Sequence, residues 1–127
     1  MKSILYVDDD EEMIAIVKIV LANSGYRIRS ATSGQEAIEL CTSEQPDLVL
    51  MDLNMPGLDG FETTRQLRGQ GFANPIVALT ASESDEDREK AKLAGCDNYI
   101  LKTLDMADVE GVIDEFLAEG GGFELNL

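Results

Sequence analysis

The sequence predicts an α/β fold, a five-stranded doubly wound parallel sheet with five helices. Short apolar runs rich in branched residues recur along the chain, which is typical of strands buried on both faces. Segments with apolar side chains three and four residues apart lie between those runs, as in amphipathic helices. The connections are short, so the alternation of strand and helix predicts right-handed crossovers and helices on both faces of the sheet.

Four of the five expected strands are continuous apolar runs, at residues 4–7, 47–51, 76–79 and 98–101. The fifth, at residues 26–31, alternates apolar and polar side chains. Because such alternation indicates that one face meets solvent, residues 26–31 are expected to form an edge strand.

The first three helices have recognisable start and stop signals. The first is expected over residues 11–23, with Gly25 as its C-terminal cap. Two pairs have the spacing of capping boxes or close relatives and are expected to begin the second and third helices, and Asn74-Pro75 is expected to stop the third. These pairs are Ser33 with Glu36 and Asp59 with Glu62. The inward side chains of the first helix are expected to be Met13, Ile14, Val17, Val20 and Leu21.

Two further helices complete the alternation. The fourth is expected over roughly residues 84–94, ending at Gly95, and the fifth over roughly residues 105–118. The inward side chains of the fifth helix are expected to be Leu104, Val109, Val112, Ile113 and Phe116.

The length of 127 residues fits one domain with a single continuous core. We expect this domain at residues 1–119 and a flexible tail at residues 120–127, because three glycines begin that segment. Phe123, Leu125 and Leu127 alternate with polar residues, so the tail could instead add as a strand to a sheet edge. It could also begin a linker to an output domain.

The composition excludes several functions. A net charge of −15 repels nucleic acid phosphates and anionic lipids, so direct binding to either is not expected. No apolar run approaches the ~20 residues that span a bilayer, and the first residues lack a signal-peptide pattern, so we expect a cytoplasmic protein. Cys41 and Cys96 are expected to be small buried side chains rather than a disulfide or reactive thiols. The absence of histidine excludes a Ser-His-Asp triad, a histidine zinc site and a phosphohistidine donor.

Polar residues stand at the carboxyl ends of the expected strands, where ligands bind in such sheets. If the strand order is 2-1-3-4-5, the carboxylates of Asp8, Asp9 and Asp52 converge with Thr80 and Lys102 on one crevice. Carboxylates ~5 Å apart repel by roughly 3 kcal/mol per pair at an effective dielectric of ~20. One Mg²⁺ and the ammonium of Lys102 would neutralise all three, and carboxylate oxygens suit Mg²⁺.

Each of these residues also has an ordinary structural explanation. The acidic run from Asp8 to Glu12 could serve the start of the first helix, and Asp52 could be a turn residue before Pro56-Gly57. Thr80 could cap a helix, and the side chain of Lys102 could extend from a strand end into solvent. Together these explanations require four coincidences, each at the carboxyl end of a strand, so a shared site is the preferred interpretation.

In these features the chain resembles the receiver domain of bacterial two-component response regulators, over about residues 2–118. The matching segments, in order, are Val7-Asp8-Asp9-Asp10, Asp52-Leu53-Asn54-Met55-Pro56-Gly57-Leu58-Asp59-Gly60, Leu79-Thr80-Ala81, Gly95-Cys96-Asp97-Asn98-Tyr99 and Lys102. The resemblance implies a flavodoxin-like receiver fold with strand order 2-1-3-4-5.

The resemblance implies that Asp52 is the phosphoacceptor, whose carboxylate takes a phosphoryl group from a histidine kinase or a histidine phosphotransfer protein. It implies a Mg²⁺ site in which Asp9 is a direct ligand, Asp8 acts through water, and Asp52 and the backbone carbonyl of Asn54 contribute oxygens. Such a domain catalyses only its own phosphoryl transfer and hydrolysis, and is not an enzyme in the usual sense.

The resemblance also implies a switch. The Thr80 hydroxyl would turn towards the new phosphoryl group, Lys102 would pair with that group, and Tyr99 would follow Thr80 inward. The surface of the fourth helix, fifth strand and fifth helix (α4-β5-α5) would then change for a downstream protein partner. Tyr99 could instead be an ordinary exposed edge-strand aromatic.

One position departs from the family pattern. Thr103 follows Lys102 where the family usually has a proline after a cis peptide bond. A cis bond costs about 2.5 to 4 kcal/mol before a residue other than proline, so we predict a trans Lys102-Thr103 bond.

Two other functions remain open at this stage. The first is a Mg²⁺-dependent phosphohydrolase that forms an aspartyl-phosphate, although such enzymes commonly carry a second acid two residues after the nucleophile, where this chain has Asn54. The second is a binding module that has lost phosphorylation, which the complete set of acidic residues, Thr80 and Lys102 argues against.

Overall fold

The computed structural model describes residues 2–102 and 106–117, which form five strands and five helices in strict alternation. The strands are β1 (Ser3–Val7), β2 (Arg27–Ala31), β3 (Leu48–Asp52), β4 (Ile76–Thr80) and β5 (Asn98–Leu101). The helices are α1 (Glu11–Val20), α2 (Gly34–Ser43), α3 (Gly60–Gly69), α4 (Asp85–Ala94) and α5 (Met106–Leu117). All strand pairs are parallel and the order is β2-β1-β3-β4-β5, so the predicted doubly wound sheet is confirmed.

The sheet separates two apolar layers, because successive side chains of a strand point to opposite faces. On one face α2, α3 and α4 pack against the sheet, and on the other α1 and α5 do. In β1, for example, Leu5 and Val7 belong to the first layer, whereas Ile4 and Tyr6 belong to the second. This two-sided burial explains why the central strands are continuous apolar runs, and β2 lies at an edge as expected.

The expectation for the end of α1 is corrected. The helix ends at Val20 rather than at residue 23, and Leu21 is its C-terminal cap. The Ser24 hydroxyl donates to the Leu21 carbonyl at 2.6 Å, which competes with continued helical hydrogen bonding. Gly25, with φ of +88°, lies beyond this turn and leads the chain towards β2.

The end of α3 also differs from the expectation. The helix ends at Gly69, well before Asn74-Pro75. Gly71, with φ of +94°, reverses the chain, and the Phe72 N–H then donates to the Leu67 carbonyl at 3.0 Å. Four other helix ends follow the sequence expectations: Ser33, Asp59 and Ser84 are N-caps, and Gly95 is the left-handed C-cap of α4.

Several expectations concern residues outside the described ranges. These are the inward position of Leu104, the trans Lys102-Thr103 bond, the domain boundary at residue 119 and the tail at residues 120–127. Within residues 2–102 and 106–117, no helix combines the length and the apolar character needed to cross a bilayer. Cys41 and Cys96 are both free and buried, as predicted.

Candidate functional site

Three carboxylates meet at the carboxyl ends of the two central strands. Asp8 directly follows β1, and Asp52 is the last residue of β3, which pairs with β1 so that Val7 lies opposite Met51. One oxygen each of Asp8, Asp9 and Asp52 lies within 4.8 Å of the others. Asp8 is 0% exposed and Asp52 is 2% exposed, whereas Asp9 is exposed. Two of the three charges are therefore removed from water and require compensation from the protein or from an ion.

Lys102 supplies part of that compensation. It follows β5, and its Nζ lies 3.1 Å from Oδ2 of Asp8 and 3.4 Å from Oδ1 of Asp52. Burial would lower the pKa of Lys102, but the hydrogen bond to Asp8 and the charge of Asp52 raise it above its ordinary value. The lysine is therefore a fixed positive charge shared by two buried aspartates, and its side chain does not extend freely into solvent.

Asp8 is held by two further donors. The Tyr6 hydroxyl donates to Oδ2 at 2.5 Å, and the backbone N–H of Asp10 donates to Oδ1 at 2.9 Å. Burial alone would raise the pKa of Asp8, but these two hydrogen bonds and the contact with Lys102 hold it below its ordinary value. Burial and the neighbouring carboxylate raise the pKa of Tyr6, so this side chain is a neutral donor.

The sequence reasoning missed Tyr6, although a signal was available. A tyrosine interrupts the aliphatic run of β1 two residues before Asp8, and residues i and i+2 of an extended chain point to the same side. A polar hydroxyl in a buried strand must find a partner, and the nearest candidate along the chain is the Asp8 carboxylate.

Asp52 has a different environment from Asp8. Burial, reinforced by repulsion from Asp8, raises the pKa of Asp52 to about 6, although the Asn54 N–H and the charge of Lys102 oppose the shift. The Asn54 N–H donates to Oδ1 of Asp52 at 3.1 Å. Of the two buried aspartates, Asp52 is thus the one that binds a proton more readily in the absence of a metal.

The turn after β3 leaves the Asp52 carboxylate at the crevice while bringing α3 directly against the strand end. Gly57 adopts a positive φ of +72° and reverses the chain. The Gly60 N–H donates to the Leu53 carbonyl at 3.3 Å. A Cβ at residue 60 would lie 2.2 Å from the backbone oxygen of Asp52, so only glycine permits this close approach.

Thr80 ends β4, the strand that pairs with β3, and its hydroxyl is hydrogen-bonded to groups outside the acidic cluster. As the last residue of β4 it is 1% exposed, and its Oγ1 accepts hydrogen bonds from Asn54 Nδ2 at 3.1 Å and from the Ser82 N–H at 3.2 Å. Thr80 does not cap α4, because Ser84 is the N-cap. The Asn54 side chain, to which the sequence argument gave no role, holds the Thr80 hydroxyl.

Tyr99 is buried, so the alternative of an exposed edge-strand aromatic is wrong. It is 6% exposed, its hydroxyl donates to the Ser82 carbonyl at 2.9 Å, and the Arg88 guanidinium lies 5.1 Å from its ring centroid. Tyr99 is thus already buried in this structure, while the Thr80 hydroxyl still accepts from Asn54 and Ser82.

The acidic run after β1 serves two purposes. Oδ1 of Asp10 accepts from the N–H groups of Glu12 and Met13, so Asp10 is the N-cap of α1 and the helix-start explanation holds for it. The carboxylate oxygens of Asp8 and Asp9 belong to the cluster instead. Two of the three acids are buried beside one lysine, so the cluster retains a net negative charge. The atoms that it offers to a metal ion are all carboxylate oxygens. This donor set fits Mg²⁺.

Comparisons with known proteins agree with this geometry. The family model for the response regulator receiver domain matches residues 4–114. The chain is 35% identical over 116 residues to the alkaline phosphatase synthesis transcriptional regulatory protein PhoP of Bacillus subtilis, covering 91% of this chain and 48% of that protein. The chain spans about half the length of the curated relatives it matches.

Two solved structures are similar over nearly the whole fold. The chemotaxis protein CheY4 of Vibrio cholerae superposes with a TM-score of 0.87 at 28% identity, covering 92% of this chain and 99% of that one. The BeF3-activated N-terminal receiver domain of Klebsiella pneumoniae RstA gives a TM-score of 0.87 at 34% identity, covering 93% and 100%.

Proposed function

Because the chain belongs to the response regulator receiver domain family, we propose that it accepts a phosphoryl group on Asp52 and signals through a protein surface. The observation that carries this proposal is the environment of Asp52. Its buried carboxylate lies within 4.8 Å of oxygens from Asp8 and Asp9 and 3.4 Å from the Lys102 ammonium. Phosphoryl transfer needs positioning and charge neutralisation more than it needs a general base.

The residues that would hold Mg²⁺ are Asp9 as a direct ligand, Asp8 through water, Asp52, and the backbone carbonyl of Asn54. When bound, the ion supplies neutralisation of charge on the phosphoryl oxygens. The donor chemistry supports the assignment, since Mg²⁺ prefers a few carboxylate oxygens and retains several waters.

Asp52 acts as the nucleophile. One of its oxygens forms a bond to phosphorus as the phosphorus–nitrogen bond of a phosphohistidine breaks, and the histidine nitrogen leaves with the electron pair of that bond. With a pKa of about 6 the carboxyl is mostly ionised at pH 7, so it needs no activating base. Lys102 faces the charge that develops on the phosphoryl oxygens.

A chain of hydrogen bonds supports a route from this site to the surface. The Thr80 hydroxyl accepts from the Ser82 N–H, and the Ser82 carbonyl accepts from the Tyr99 hydroxyl. If Thr80 turns towards a phosphoryl group, its bonds to Asn54 and Ser82 change, and the partner of Tyr99 moves with them. The α4-β5-α5 surface then changes for a downstream partner.

The phosphodonor we propose is a histidine kinase or a histidine phosphotransfer protein, and the receiver portion is residues 1–119. Signalling would occur in the cytoplasm by protein contact. The net charge of −15 argues against direct binding of this chain to nucleic acid or to an anionic membrane. PhoP is named a transcriptional regulatory protein, but this chain covers only 48% of it.

The test is labelling with a histidine kinase or a small acyl phosphate in the presence of Mg²⁺. The protein should take up one acid-labile phosphate, and Asp52→Asn should abolish the label because no carboxylate oxygen remains to form the acyl bond. Asp85→Asn, at an exposed position in the first turn of α4, is the matched control and should label normally. Unchanged labelling of Asp52→Asn would refute the acceptor assignment.

The same assay separates this proposal from a phosphohydrolase. Hydrolases of the aspartyl-phosphate type commonly carry a second acid two residues after the nucleophile, and here that position is Asn54, whose amide donates to Thr80. We therefore expect stoichiometric labelling that decays slowly. Rapid turnover of a small phosphate ester would favour the hydrolase.

A further inference from the structure

We propose that Tyr6 is a positioning residue of this site, whose hydroxyl keeps Oδ2 of Asp8 hydrogen-bonded while Lys102 moves from Asp8 to the phosphoryl group. The inference rests on the proposed function, because it concerns the moment at which Asp52 becomes phosphorylated. Tyr6 lies outside the segments of this chain that match the family motifs, the first of which begins at Val7.

Two hydrogen-bond donors contact the same oxygen of Asp8. Oδ2 of Asp8 lies 2.5 Å from the Tyr6 hydroxyl and 3.1 Å from Nζ of Lys102. Oδ1 of the same carboxylate accepts from the Asp10 N–H at 2.9 Å. Asp8 is 0% exposed, so bulk water cannot replace a donor that departs. Losing every donor on Oδ2 would leave a buried carboxylate oxygen unsatisfied, which is costly.

Lys102 is the donor that is expected to move away from Asp8 when Asp52 is phosphorylated. It is already shared between Asp8 and Asp52. A phosphoryl group on Asp52 adds roughly 1.5 to 2 negative charges, so the ammonium is drawn towards it and away from Asp8.

Tyr6 is the donor that stays. Its side chain is 0% exposed and belongs to the apolar layer that includes Ile14 and Val17 of α1 and Ile113 of α5. It is anchored on β1 only two residues from Asp8, so the phenol cannot follow Lys102 towards Asp52. The neutral hydroxyl therefore remains hydrogen-bonded to Oδ2 before and after Asp52 is phosphorylated, and this lowers the free-energy cost of moving Lys102 away from Asp8.

The experiment compares two affinities in wild-type protein and in Tyr6→Phe, which removes only the hydroxyl. The first is the affinity for Mg²⁺ alone, and the second is the affinity for BeF₃⁻ at saturating Mg²⁺, both measured by titration calorimetry. In Tyr6→Phe, release of Lys102 strands Oδ2, so BeF₃⁻ should bind about tenfold more weakly, equivalent to ~1.4 kcal/mol. Lys102 and the Asp10 N–H still hold Asp8 at rest, so the Mg²⁺ affinity should stay within about threefold of wild type.

Tyr26→Phe is the matched control. It also removes a tyrosine hydroxyl that donates to a carboxylate, that of Asp114 in α5, away from the acidic cluster. Its two affinities should equal those of the wild type. Equal BeF₃⁻ affinity in Tyr6→Phe and wild type would overturn the inference, and so would a parallel loss of Mg²⁺ and BeF₃⁻ affinity, which would indicate distortion of the pocket. Failure of the wild type itself to bind BeF₃⁻ would instead contradict the proposed function.

A second measurement requires no change at Tyr6. In wild-type protein labelled with ¹³Cζ-tyrosine, the Tyr6 signal can be assigned by elimination from Tyr26→Phe and Tyr99→Phe. The hydrogen-bonded, slowly exchanging hydroxyl of Tyr6 should persist when Mg²⁺ and BeF₃⁻ are added. Rapid exchange of this hydroxyl in the bound state would overturn the inference even if Tyr6→Phe did not fold.

Discussion

Asp8 and Asp52, which have carboxylate oxygens within 4.8 Å of each other, differ in their proton affinity because their hydrogen-bond partners differ. Burial acts on both, but the Tyr6 hydroxyl, the Asp10 N–H and Lys102 lower the pKa of Asp8. Asp52 has the Asn54 N–H and a longer contact with Lys102, and its pKa is raised to about 6. Ionisation of Asp52, the side chain proposed to accept phosphate, therefore lowers the stability of the folded state.

That cost predicts a pH dependence. Because the pKa of Asp52 is higher in the folded protein than its ordinary value of 3.8, the folded state binds the proton more tightly, and stability is lost as pH rises through 6. Asp52→Asn cannot titrate. Without Mg²⁺, its free energy of unfolding relative to wild type should therefore increase by about 1 to 2 kcal/mol between pH 5 and pH 8.

Urea unfolding in the presence of a chelator measures this difference. The lower limit of pH 5 keeps the protein above its isoelectric point of about 4.1. Asp85→Asn, which changes an exposed carboxylate outside the acidic cluster, is the control. A difference between Asp52→Asn and wild type that did not change with pH would show that Asp52 ionises as freely in the folded state as in the unfolded chain.

At the scale of elements, the contact between β3 and the start of α3 sets the position of Asp52. Gly60 is the first residue of α3, and its Cα lies so close to the backbone of Asp52 that there is no room for a methyl group. A backbone neighbour cannot rotate away as a flexible side chain can. The close approach is therefore part of what holds the nucleophile in place.

Gly60→Ala should destabilise the protein by about 3 kcal/mol through overpacking. It should also slow phosphorylation at least tenfold, because a displacement of ~1 Å of a reacting group can cost about 100-fold. Gly69→Ala is the control in the same helix, where an added Cβ meets nothing within 4 Å and φ is ordinary. That change should be neutral or stabilise by up to about 1 kcal/mol. Urea unfolding measures the stability of both variants, and initial labelling rates measure their phosphorylation. Equal stability and equal labelling rates of the two variants would contradict the steric argument.

At the scale of the whole molecule, the net charge of −15 opposes folding, and the acidic cluster concentrates part of that charge. Salt screens the distributed charge in a general way, with a Debye length of about 10 Å at 0.1 M. A divalent cation at the cluster should act specifically, because it binds the folded arrangement of carboxylates and not the unfolded chain.

MgCl₂ should therefore stabilise the protein more than NaCl at the same ionic strength. At a concentration 100 times its dissociation constant, the specific part should be about 2.7 kcal/mol. Asp9→Asn should lose this increment and keep the response to NaCl, whereas Asp85→Asn should keep both. Thermal unfolding in matched salts measures the difference, and an equal effect of MgCl₂ and NaCl on the wild type would contradict a metal site.

The sequence by itself determined the order of strands and helices, the two-sided core and the edge at which the polar residues collect. These features depend on local periodicity and on the rule that parallel strands share their carboxyl ends, so they can be inferred without coordinates. Asp52, Thr80 and Lys102 could be selected as candidate site residues for the same reason, because each stands at the carboxyl end of a strand.

Only the tertiary structure decided how those residues share protons and hydrogen bonds. The burial of Tyr99 and the hydrogen bond from the Asn54 amide to Thr80 each depend on contacts between elements that local periodicity does not encode. The sharing of Lys102 between Asp8 and Asp52, at 3.1 and 3.4 Å, arises only when the sheet brings the ends of β1, β3 and β5 to one edge. Local propensity cannot set distances between residues that meet only after the sheet has formed, because many packed elements fix them together.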